Sequence, residues 1–74
     1  MNEQELKKRY EAINGVWNLL KKFSNPTDED AFWDELKQVT SEFAKGDCEE
    51  FRHDIVIAVN KEIHRFWKNE KRNH

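Results

Sequence analysis

Residues 6–20 read LKKRYEAINGVWNLL, and within them Leu6, Tyr10, Ile13, Trp17 and Leu20 recur at spacings of four, three, four and three. That period suits one face of an α-helix and excludes a strand, whose side chains alternate between faces. A second set, Ala12, Val16, Leu19 and Phe23, lies beside the first at ~100° per residue, giving an apolar arc of roughly 180°. The spacing predicts a helix from about residue 3 to residue 23 that touches two neighbours, with the Leu6 to Leu20 stripe as its core side. Gly15 weakens this helix without ending it.

Reading outward, Ser24-Asn25-Pro26-Thr27 is turn chemistry, because Pro26 disfavours helical geometry at Asn25 and Thr27 can cap a helix three residues before Asp30. A second helix is expected over residues 28–45. Asp28, Glu29 and Asp30 fill its first turn, where carboxylates face the positive end of the helix dipole. Phe32, Leu36, Val39 and Phe43 form its apolar stripe. Gly46, preceded by Lys45, is expected to be its C-terminal cap. Asp47 can then cap a third helix over residues 48–71, with the stripe Phe51, Ile55, Val59, Ile63 and Phe66. Connections this short favour antiparallel neighbours, so the expected fold is all-α, a single up-down-up three-helix bundle spanning residues 1–74.

A chain of 74 residues builds one small core. A lone Cys48 excludes an internal disulfide, which leaves dense packing of nine aromatics, Trp17, Trp33 and Trp67 among them, as the stabiliser. Charged residues make up 38% of the chain yet cancel to −2, so no global field advertises nucleic acid or a membrane. The charges are nevertheless segregated: residues 1–24 carry +2, residues 25–47 carry −5 and residues 48–74 carry +1. In the expected topology the acidic start of helix two meets Lys21, Lys22 and the basic end of helix three. The N-terminus lacks the layout of a signal peptide, and no apolar run approaches the ~18 residues of a membrane span. The expectation is a cytoplasmic protein with no membrane association.

Few residues suggest chemistry. Glu50 and His53 have the Glu-x-x-His spacing used for paired metals in bundles, but they fall opposite the core stripe of helix three and lack carboxylate partners. His53 and His64 share a face eleven residues apart, too far to bind one ion at ~1.5 Å per residue, and His74 is terminal. Asp28, Glu29, Asp30, Asp34 and Glu35 fail the calcium-loop pattern, which needs a glycine where Trp33 stands. Cys48 sits at a helix start that could activate a thiol, but Asp47, Glu49 and Glu50 oppose this, and its position suits a small, partly buried side chain. No base stands at an informative spacing from Ser24, Thr40 or Ser41, and Gly15 and Gly46 build no phosphate loop. No enzyme activity, metal or cofactor is expected.

Two surface features remain. Lys61, Arg65, Lys68 and Arg72 line one face of helix three and could meet phosphates. Against a helix-turn-helix reading, Asp47, Glu49, Glu50 and Asp54 occupy the end of the helix that would read bases. Trp33 lies at the edge of the helix-two stripe, and Ile57 falls well outside the arc of helix three. The expected function is docking of a protein partner, with Trp33 and Ile57 as anchors and Lys61, Arg65 and Lys68 as an electrostatic rim. The alternatives are a nucleic-acid-associated regulator using the basic face of helix three, and a homodimer joined through the broad face of helix one.

The apolar layout of Tyr10-Glu11-Ala12-Ile13 with Trp17, of Asp30-Ala31-Phe32-Trp33, and of Asp47-Cys48 followed by Asp54-Ile55-Val56-Ile57-Ala58-Val59 resembles small helical proteins of bacterial prophages and integrative mobile elements. The resemblance implies a short accessory protein and carries no active-site residues.

Overall fold

The computed structural model describes residues 1–72 and contains three helices, α1 (Glu3–Lys22), α2 (Asp30–Phe43) and α3 (Glu49–Arg72). His74 and the side chain of Arg72 lie outside the described residues. Asn2 starts α1, its side-chain oxygen accepting the Glu5 amide at 2.8 Å, which satisfies one of the donors a helix start leaves open. The C-terminal end of α1 meets the start of α2 and the far half of α3, so α1 and α3 run parallel and pack directly on one another, with α2 antiparallel to both, as an up-down-up bundle requires. Phe23 stacks edge-on to Phe32 at 5.5 Å. Lys22 and Lys71 each lie 3.1 Å from a carboxylate, of Glu35 and Asp28 respectively. The charge segregation read from the sequence thus closes one end of the bundle.

The core comprises Leu19, Phe23, Leu36, Val59 and Ile63, with Val16, Leu20, Phe32, Trp33, Val39 and Phe43 packed around it. Thr40 is buried with them, its hydroxyl donating to the Leu36 carbonyl at 2.7 Å. This core overturns the expected orientation of α1. Ala12, Leu19 and Phe23 face inward, whereas Leu6, Tyr10, Ile13 and Trp17 are 55–69% exposed. Small side chains explain the choice. Ala12 is fully buried, and the ring of Phe43 lies so close to Gly15 that a Cβ there would fall 2.5 Å from Cε2. Neighbouring helices approach more closely over small residues than over Tyr10 and Trp17.

The second helix starts two residues later than expected. Thr27 caps a turn, its Oγ1 accepting the Glu29 amide at 3.2 Å, and Glu29 precedes the helix without a side-chain cap. Asp28 is drawn away from the helix start, accepting from Trp67 Nε1 at 2.8 Å. That bond first and Lys71 second hold the Asp28 carboxyl below its ordinary range.

At the opposite end the expected glycine cap is replaced by an arginine latch. Gly46 does not adopt positive φ; Cys48 does, at 58°, and its carbonyl accepts the Arg52 amide that opens α3. The Arg52 guanidinium donates from Nε to the Asp47 carbonyl at 2.6 Å and lies 4.5 Å from the centre of the Phe43 ring. A Cβ at Gly46 would sit 2.9 Å from Arg52 Cζ, so the glycine makes room for the latch. Asp47 contributes its carbonyl to that latch, which the capping pattern did not show.

Candidate functional site

Helices α2 and α3 diverge around an open groove of about 760 Å3. On the α2 side it is lined by Trp33, Leu36, Lys37, Thr40 and Ala44, and on the α3 side by Val56, Ile57, Lys61, Arg65 and Lys68. All five residues singled out as partner-binding, Trp33, Ile57, Lys61, Arg65 and Lys68, therefore fall on one surface.

The helical period explains the assembly. Ile57, Lys61, His64 and Lys68 recur at spacings of four, three and four on α3, which places them along one line. Leu36 and Thr40 of α2, with Ala44 just past its end, follow one another at spacings of four. Ile57 is 39% exposed, and the rest of the apolar floor comes from Leu36, Val56 and Ala44.

Lining charges have one sign: Lys37, Lys61, Arg65 and Lys68 border the groove, and no Asp or Glu does among the described residues. Arg65 is braced by an ion pair with Glu62 on the turn before it. Asn60 Oδ1, on the α3 wall, is buried and lacks a hydrogen-bond partner. The groove ends in an adjoining depression where Glu49, Glu50 and Asp54 gather beside Lys45 and His53. Potential thus reverses along the cleft, from basic beside the second half of α3 to acidic at its start.

Trp33 plays a different part from Ile57. Its indole N–H donates to the Thr27 carbonyl at 2.9 Å. Its ring meets Phe32, His64 and Trp67 edge-on at 5.0–5.7 Å. These contacts make it a wall of the groove built into the aromatic cluster, with one edge left for an occupant. His64 belongs to the same cluster, which a helical wheel of α3 alone did not reveal; Lys37 and Ala44 were also missed, because neither lies on the apolar stripe read for α2.

Glu50 and His53 lie in the acidic depression. No group of three or more His, Cys, Asp or Glu side chains able to hold a metal is found among the described residues. Among those residues no helix is long and apolar enough to cross a membrane. No protein-family model, curated protein or solved structure matches the chain, so the functional reading rests on this geometry.

Proposed function

We propose that this chain is a non-enzymatic docking module whose α2/α3 groove holds an acidic, amphipathic helical segment of a protein partner. The observation that carries the reading is the pairing of an apolar floor with a rim of four cations and no lining carboxylate, in a chain whose net charge is −2. Apolar anchors in such a groove supply affinity, while the charged rim sets partner choice and encounter rate. Ile57 is the central anchor, Trp33 the wall against which an apolar side chain stacks, and Lys61, Arg65 and Lys68 the rim.

The test is a display selection from amphipathic helical peptides spanning strongly acidic to strongly basic charge. Acidic peptides are expected to be enriched, and Ile57→Glu to abolish their binding with unchanged helicity. Enrichment of neutral or basic peptides, or binding indifferent to Ile57→Glu, would sink the reading. Ile57 is the better probe because Trp33→Ala also removes a core contact.

The same rim supports a second reading, a nucleic-acid-associated regulator, since Lys61, Arg65 and Lys68 are spaced to meet successive phosphates. Its signature is duplex binding that falls steeply with salt and is lost in Arg65→Glu/Lys68→Glu. The acidic depression at the start of α3 favours the peptide, because a continuous phosphate backbone would have to cross it.

A further inference from the structure

The apolar face left outside the bundle on α1 is a second surface, built from residues that take no part in the groove. Leu6, Tyr10, Ile13 and Trp17 form an unbroken stripe, each more than half exposed, and Phe66 of α3 is 48% exposed. Phe66 borders the same small depression as Leu20, the next residue of the stripe. We infer that this face is covered by a second copy of the chain, with the two α1 helices antiparallel.

Three observations point to a second copy. The first is area: at ~200 Å2 for each large apolar residue, the four stripe residues expose roughly 500 Å2. Paired across two copies with their flanks, they would bury about 1,200 Å2, the lower end of what a specific interface needs. Uncovered, the patch lies near the upper end for a monomer, roughly 300–600 Å2.

The second is spacing. The four-three-four spacing of Leu6, Tyr10, Ile13 and Trp17 suits the seam of a two-helix coiled coil, and it is symmetric about a point between Tyr10 and Ile13. In an antiparallel pair, Leu6 therefore lies opposite Trp17 of the other copy and Tyr10 opposite Ile13, so each aromatic meets an aliphatic side chain. A parallel pair would set Trp17 on Trp17 and Tyr10 on Tyr10.

The third is charge. Glu3 and Lys21 lie on the same flank at opposite ends of α1, and Lys21 Nζ already sits over the Trp17 ring at 5.8 Å. Antiparallel pairing brings Glu3 of each copy to Lys21 of the other, twice by symmetry. Parallel pairing would leave Glu3 and Lys21 at opposite ends of the pair, without these contacts. The resulting interface is isologous and closed, so it stops at two chains.

The test is sedimentation equilibrium over a concentration series, using the full chain. The expected result is reversible conversion from a 9.0 kDa monomer to a species of twice that mass. Ile13→Glu should raise the dimer dissociation constant at least tenfold with helicity retained. Because a stripe variant could act through folding, a charge swap gives an independent reading: Glu3→Lys should weaken the dimer, and Glu3→Lys/Lys21→Glu should restore it. Orientation is read in a Cys48→Ser background, where Lys7→Cys should cross-link to Asn14→Cys and not to itself. Four outcomes would overturn the inference: a monomer mass at several hundred micromolar, dimers insensitive to Ile13→Glu, failure of the swap to restore association, or self-cross-linking of Lys7→Cys. Monomers that instead bind anionic phospholipid vesicles through Ile13 would assign the face to a lipid surface and likewise overturn it.

Discussion

A methyl group at position 15 would gain about 1 kcal/mol in helix propensity over glycine, yet it would arrive 2.5 Å from the ring of Phe43. Phe43 has little room to yield, since it is packed on the core and the Arg52 guanidinium lies 4.5 Å from its ring centre. Forcing extra volume into such a contact costs about 1–3 kcal/mol, so the steric term wins. Gly15→Ala is expected to lower stability by about 1 kcal/mol, or roughly 4–8 °C in melting temperature for a domain of this size. Asn14→Ala, one residue away and exposed, should be neutral or slightly stabilising. Adding Phe43→Leu to Gly15→Ala should recover part of the loss, because the smaller side chain vacates the space, and thermal melts of the four-way cycle would read the coupling directly. A Gly15→Ala protein that melts above the wild type would show that the ring moves aside freely and that propensity decides.

Between elements, the fixtures that matter are a pair of end latches. One ties the loop before α2 to α3 through Asp28, Trp67 and Lys71; the other ties the end of α2 to α3 through Arg52. Only the first contains a titrating group. Hydrogen bonds from Trp67 first and Lys71 second hold the Asp28 carboxyl below its ordinary value, so its contribution is complete above the unfolded value, about pH 4, and is lost as pH falls through the lower folded value. Asp28→Asn should therefore lower the urea midpoint at pH 7, and the gap between variant and wild type should close in acid, once pH has fallen below the folded value. An equal gap at pH 7 and in acid would mean that Asp28 acts through the shape of the loop and not its charge. Sequence made the existence and order of the helices legible, because the apolar spacing and the breaks at Pro26 and Gly46 each act locally. It also placed the acidic and basic segments at one end. The caps were less legible: Thr27 holds the turn through the Glu29 amide and does not cap a helix opening at Asp28, and neither the reach of Trp67 to Asp28 nor that of Arg52 across Gly46 leaves a local signature.

For the molecule as a whole, the least legible matter was which side of α1 faces inward. Periodicity reports that residues share a face, whereas the choice between two adjacent apolar faces depends on how closely neighbours can approach, and Ala12 and Gly15 decided it. The groove residues were legible individually on α3, as an apolar residue outside the core arc and a basic stripe; that they form one cleft with Lys37 and Ala44 required the position of α2. The molecule is elongated, 49 Å in its longest extent with a radius of gyration of 13.8 Å, against about 11 Å for a compact globule of this length. That shape keeps the α1 stripe and the α2/α3 groove on separate residues, so a dimer formed through α1 leaves both grooves open. Two grooves on one particle make the second of two linked ligands bind at a high effective concentration, provided the linker spans the distance. A tandem of two acidic helical peptides selected on the groove should therefore bind the wild-type protein at least tenfold more tightly than the single peptide. The Ile13→Glu monomer should bind the single peptide with unchanged affinity and lose the tandem advantage. Calorimetry of the four combinations separates the two surfaces: a tandem gain that survives in the Ile13→Glu monomer would show that the paired grooves are not its source, and a weakened single peptide would show that the α1 face and the groove are coupled within one chain.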